Sequence, residues 1–72
     1  MTTNTIRVNG ETEELAAEAT PLTDFLVAKG LSLDAKGIAV ALNGRLVQRV
    51  NWAGTELTAG DTLEIVQAKQ GG

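Results

Sequence analysis

Two Asn-Gly pairs, Asn9-Gly10 and Asn43-Gly44, each follow a stretch of strand-like sequence. Both central residues of a type I′ turn need positive φ, so Asn-Gly is the strongest short-range hairpin signal. Two such hairpins leave the chain few ways to bury its apolar residues. Ile6-Arg7-Val8-Asn9 alternates apolar and polar, the period of a half-buried strand. Residues 12–15 form the return strand, with Glu11, Glu13 and Glu14 in solvent. Gly37 precedes Ile38-Ala39-Val40-Ala41-Leu42, a continuous apolar run that suits a central strand covered in part on both faces. The second Asn-Gly turn leads on to Leu46-Val47.

Between the hairpins lies a helix signal. Thr20 is expected to cap the free N–H groups, and Pro21 stands where a missing N–H costs nothing. Asp24 suits the positive end of the helix dipole. Leu22, Phe25 and Leu26 make one apolar stripe at i, i+3, i+4. Lys29 falls in the last turn and Gly30 at the C′ position, so the expected helix runs over residues 21–29. A helix this short is stable only with its stripe on a sheet. Gly60-Asp61 reads as a turn and residues 62–66 as the last strand.

The order is hairpin, helix, hairpin, strand. One helix covers one sheet face, so the expected class is α+β, a single mixed five-stranded sheet with the helix across one face. The economical place for the last strand is beside the first, in parallel, at the centre. That is the β-grasp, or ubiquitin-like, fold. Residues 1–67 form the expected domain, and residues 68–72, which carry no pattern, the expected flexible tail.

Composition narrows the function. A core built from 72 residues rarely supplies more than about 3–5 kcal/mol and leaves little interior for a deep pocket. An enzyme is therefore disfavoured relative to a scaffold that presents a surface or a terminus. With no Cys and no His, thiol nucleophiles, imidazole bases and the usual zinc sites are excluded, and no metal site is expected. A net charge of −3 argues against nucleic acid. Nothing resembles a signal peptide or a membrane span, so a cytoplasmic location is expected.

The unusual local feature is the terminal Gly71-Gly72. Gly makes up about 7% of average sequences, so two at the end arise by chance in about one chain in 200. The chemistry gives a better reason. An α-carboxylate, with a reference pKa of about 3.3–3.7, is ionised and a poor electrophile until activated. Adenylation would make it a mixed anhydride that a sulfur nucleophile can attack. Residues without Cβ make the thinnest thread into an activating enzyme.

At this point the sequence resembles the ThiS family, the sulfur carriers of thiamine thiazole biosynthesis. The residues that carry the likeness are Val8-Asn9-Gly10-Glu11, the run from Thr20 to Leu26, the run from Gly37 to Gly44, Arg49, Trp52, Gly60-Asp61, Leu63 to Val66, and Gly71-Gly72. They span nearly the whole chain. Gln48 departs from the Pro often found before the Arg, and residues 1–4 extend beyond the usual start.

The resemblance implies that Gly72 carries the sulfur and that Gln70 and Gly71 thread into partner enzymes. An E1-like adenylyltransferase of the ThiF type would use ATP and Mg²⁺ to adenylate Gly72. A cysteine desulfurase or another persulfide donor would supply sulfur, leaving a C-terminal 1-thioglycine. A thiazole synthase of the ThiG type would accept it. The carrier would bind no cofactor, contribute no catalytic group and be a monomer when free.

A docking patch is expected on the sheet face away from the helix, formed by Arg7, Ala39, Ala41, Arg49, Glu64 and Val66, because residues two apart in a strand share a face. Ordinary sheet surface is the alternative. Trp52 reads as a core-edge residue rather than a partner anchor, the three glutamates as solvated surface, and Asn43-Gly44-Arg45 as a turn rather than an anion loop. Three other functions fit the same tail: a MoaD-type carrier of molybdopterin synthase, a ubiquitin-like protein modifier, and an interaction domain with an incidental Gly-Gly.

Overall fold

A computed structural model of the chain describes residues 4–34 and 36–67. The first hairpin is β1 (Thr5–Val8) and β2 (Glu11–Glu14), joined by Asn9 and Gly10 at φ 52° and 85°. The second is β4 (Ile38–Leu42) and β5 (Arg45–Val47), joined by Asn43 and Gly44 at φ 52° and 84°. Both turns have the two positive φ angles that Asn-Gly accepts at little cost. The last long strand, β7 (Thr62–Gln67), lies between the hairpins, and the sheet order is β2-β1-β7-β4-β5. It runs parallel to β1, with Arg7 beside Thr62 and Val8 beside Leu63. It runs antiparallel to β4, with Ile38 beside Gln67 and Leu42 beside Leu63. The mixed five-stranded sheet with a helix on one face, the expected β-grasp, is the observed architecture.

The helix α1 (Leu22–Ala28) buries Leu22, Phe25 and Leu26, its expected stripe. They meet Ile6, Val8, Val40 and Leu63 from the sheet, and Trp52 and Leu57 close the core. The helix ends in a Schellman motif. Gly30, at φ 86°, donates its N–H to the Val27 carbonyl at 2.9 Å, and Leu31 donates to Leu26 at 3.0 Å. The helix start differs from expectation. Thr20 is not its cap: it is a buried strand residue whose hydroxyl donates to the Ala17 carbonyl at 3.3 Å. Pro21 holds the cap position with no side-chain hydrogen bond, and the Leu22 N–H donates to the Thr55 carbonyl at 2.8 Å.

The cause is a second, two-stranded sheet absent from the sequence reading. In it β3 (Ala19–Pro21) pairs antiparallel with β6 (Glu56–Thr58), placing Thr20 opposite Leu57. Between β5 and β6 the chain forms a 3₁₀ turn, Arg49–Gly54, which turns Trp52 inward until it is 3% exposed. The indole N–H donates to the Val47 carbonyl at 2.9 Å, so the buried polar atom is paired. Among the described residues no helix is long and apolar enough to cross a membrane.

Candidate functional site

The sheet face opposite α1 takes its residues from the alternation of the strands. Register places Val66 beside Ala39, and Glu64 beside Ala41, which in turn stands beside Leu46. Arg7 lies beside Thr62 and, across β1–β2, beside Thr12. Five of the six residues expected on this face therefore share it: Arg7, Ala39, Ala41, Glu64 and Val66. Leu46 joins them unexpectedly. It is 68% exposed and Val66 60%, and the two flank the small side chains of Ala39 and Ala41. The result is a shallow apolar patch with Arg7 and Glu64 beside it. A signal for Leu46 was present in the sequence. A two-residue turn at Asn43-Gly44 fixes the register and puts Leu46 opposite Ala41.

Arg49 is a correction, because it does not lie on this face. The strand alternation stops at Gln48, and Arg49 begins the 3₁₀ turn. Its guanidinium stacks 4.6 Å from the Trp52 ring centroid and donates to the Leu33 carbonyl. Its neighbours tie it to the helix side of the molecule, where it covers the buried indole.

The strand that carries Glu64 and Val66 ends at Gln67, so the patch lies beside the point where β7 ends. Gln70, Gly71 and Gly72, the expected threading and sulfur-carrying residues, lie outside the described residues, as does the boundary expected after residue 67. Two turn asparagines brace β7. Near its start, Asn43 Oδ1 accepts the Thr62 N–H at 2.9 Å and Asn43 Nδ2 donates to Asp61 Oδ1 at 3.1 Å. Near its end, Asn9 Oδ1 accepts the Ile65 N–H at 2.8 Å and Asn9 Nδ2 donates to the Ile65 carbonyl at 3.1 Å.

Among the described residues the remaining charged groups make no catalytic cluster. Glu13 pairs with Lys29 at 2.6 Å across β2 and α1, and the ammonium lies 5.4 Å from the Phe25 ring centroid. This pair edges a groove of about 500 Å³ lined by Ala16, Ala17, Ala19 and Phe25 among others. The groove adjoins Glu14, at the opposite end of the sheet from Gln67. Among the described residues no three of His, Cys, Asp and Glu come close enough to hold a metal ion.

Comparison with known proteins adds to this geometry. The model of the ThiS family matches residues 4–72. The chain belongs to the ThiS family. A crystal structure of the thiamine biosynthesis protein ThiS from Geobacter metallireducens is 29% identical, with a TM-score of 0.79 over 94% of this chain and 99% of that one. A solution structure of a thiamine biosynthesis protein from the same organism, also 29% identical, gives a TM-score of 0.76 over 94% and 87%. No match was found among curated proteins. The ThiS-family match runs through Gly71 and Gly72, so the tail belongs to the matched region along with the sheet.

Proposed function

We propose that this protein is the sulfur carrier of thiamine thiazole synthesis and that it works through the carboxylate of Gly72. The observation that carries the reading is the family match from residue 4 through residue 72, terminal Gly-Gly included. The apolar patch beside the end of β7 supports it, because a partner seated there is already next to the start of the tail.

In this reading the chain is a protein co-substrate and not an enzyme. An E1-like adenylyltransferase of the ThiF type joins AMP from ATP to the Gly72 carboxylate, with Mg²⁺ and release of pyrophosphate. The outer sulfur of a persulfide on a cysteine desulfurase or related donor displaces AMP and forms an acyl disulfide. A thiol reductant then cleaves its S–S bond, becoming a disulfide with the donor sulfur and leaving the thiocarboxylate on the carrier. A thiazole synthase of the ThiG type takes the sulfur and returns the carboxylate. Ala39, Ala41, Leu46 and Val66 give the partner an apolar seat, with Arg7 and Glu64 beside it. Gln70 and Gly71 pass through the partner's channel. A cytoplasmic setting belongs to the same proposal.

The absence of Cys gives a direct test. The protein is incubated with the activating enzyme, ATP, Mg²⁺, a persulfide donor and a thiol reductant, treated with excess alkylating reagent, and weighed intact. A labelled carrier marks a thiocarboxylate, because no side chain takes the label readily. Gly72→Ala and deletion of Gly72 abolish the label while the fold stays intact. An unlabelled wild-type carrier, with enzyme and donor shown active, would move the assignment to a modifier or an interaction domain.

A further inference from the structure

Turn chemistry accounts for an asparagine at positive φ, but it leaves the Asn9 side chain unexplained. That side chain does the work of a peptide group. The parallel ladder between β1 and β7 runs through the Asn9 N–H, which donates to the Leu63 carbonyl at 2.9 Å. In a continuing ladder the Ile65 N–H would meet the next main-chain carbonyl of β1. There the chain has already turned into the hairpin, and the Asn9 side-chain amide takes both bonds to Ile65, one as acceptor and one as donor. Beyond Ile65, β7 continues to Gln67 with β4 on its other flank, through Ala39 beside Val66 and Ile38 beside Gln67. Among the described residues, Asn9 is thus the last hold from the β1 side before β7 ends.

We propose that Asn9 is a positioning residue that fixes the end of β7 and so sets the point and direction from which the tail is delivered to a partner. The inference rests on the carrier reading for its consequence and on the geometry at Ile65 for its cause. Held on both flanks, the strand end presents the tail from one place. Held on β4 alone, it samples several, and small misplacements of a reacting group are costly.

Asn43 provides the control. It sits in the same type of turn and bonds to the same strand, but at Thr62, near the start. Asn9→Gly and Asn43→Gly both keep a residue that accepts positive φ, and each loses only the side-chain bonds. The first measurement is amide hydrogen exchange on the isolated protein. Asn9→Gly speeds exchange at Ile65 by roughly tenfold and leaves Thr62 alone, and Asn43→Gly does the reverse. The second is adenylation kinetics with the activating enzyme. Asn9→Gly lowers kcat by roughly tenfold with KM held, since the open face is untouched, whereas Asn43→Gly keeps kcat within about twofold. Asn9→Asp, which retains an acceptor for the Ile65 N–H, keeps that amide protected, and protection lost in this variant as well would overturn the proposal.

Unchanged exchange at Ile65, or equal kcat losses in the two glycine variants, would overturn the proposal. A wild-type chain that is never adenylated would sink the carrier reading instead, and exchange at Ile65 would still decide whether Asn9 holds the strand.

Discussion

Leu63 and Val66 sit three residues apart on β7 and separate the stability of the fold from the use of its surface. Leu63 is 0% exposed, between Val8 and Leu42 in register. Val66 is 60% exposed on the open face. Leu63→Ala leaves a cavity at the centre of the core and costs about 2–5 kcal/mol. At about 0.05–0.15 kcal/mol per residue a chain of this length falls between about 4 and 11 kcal/mol, and the small core puts this one at the low end, about 4–5 kcal/mol. The substitution therefore removes a large share of the total. Val66→Ala, mostly in water already, stays within about 0.5 kcal/mol. Trp52, the single Trp and buried, reports unfolding by its fluorescence in urea. With a slope of about 1 kcal/mol/M, Leu63→Ala lowers the midpoint by about 2–5 M and Val66→Ala by less than about 0.5 M. Adenylation by the activating enzyme should order them the other way, with Val66→Ala raising KM while the carrier stays folded. Similar midpoints for the two variants would refute the assignment of opposite faces.

Trp52→Phe removes the donor to the Val47 carbonyl and weakens the Arg49 stack, so a loss of about 1–3 kcal/mol is expected in a urea titration followed by far-ultraviolet circular dichroism, since the variant has no Trp to report by fluorescence. Gly30 and Gly54 both have open space where a Cβ would go, but only Gly30 has positive φ. Gly30→Ala should therefore destabilise by about 1 kcal/mol through backbone strain, whereas Gly54→Ala should be neutral or stabilising by up to about 1 kcal/mol; thermal unfolding compares them. Glu13→Gln breaks a partly exposed ion pair and should cost at most about 1 kcal/mol, an effect that 1 M salt largely erases.

Much of this molecule is legible in its sequence because its signals are local. Each Asn-Gly pair specifies a turn without help from distant residues, and the Leu22, Phe25, Leu26 stripe needs only a sheet to lie on. The small second sheet is different. Its strands have three residues each, too few to show a period, and Pro21 at the end of β3 reads equally well as a helix opening. Only the pairing with Glu56–Thr58 separates the two readings. The set of residues on the open sheet face follows from strand alternation, and the expected set departs from the observed one at Arg49, where the chain leaves the strand, and at Leu46, which joins it. The tasks of Asn9 and Asn43 were hidden for another reason. Turn chemistry already accounted for the two residues, and their side-chain partners lie on a strand far along the chain.

The central place of β7 also bears on how the molecule comes into being. Arg7 pairs with Thr62, so the parallel contact at the middle of the sheet joins residues from near the two ends of the described chain. Each hairpin forms from neighbouring residues and closes quickly, but neither shares a strand with the other until β7 arrives. A nascent chain that has emerged only as far as residue 61 would hold two separate ribbons and a helix without its sheet. Folding should thus be gated by the emergence of β7, the strand that joins the two hairpins into one sheet.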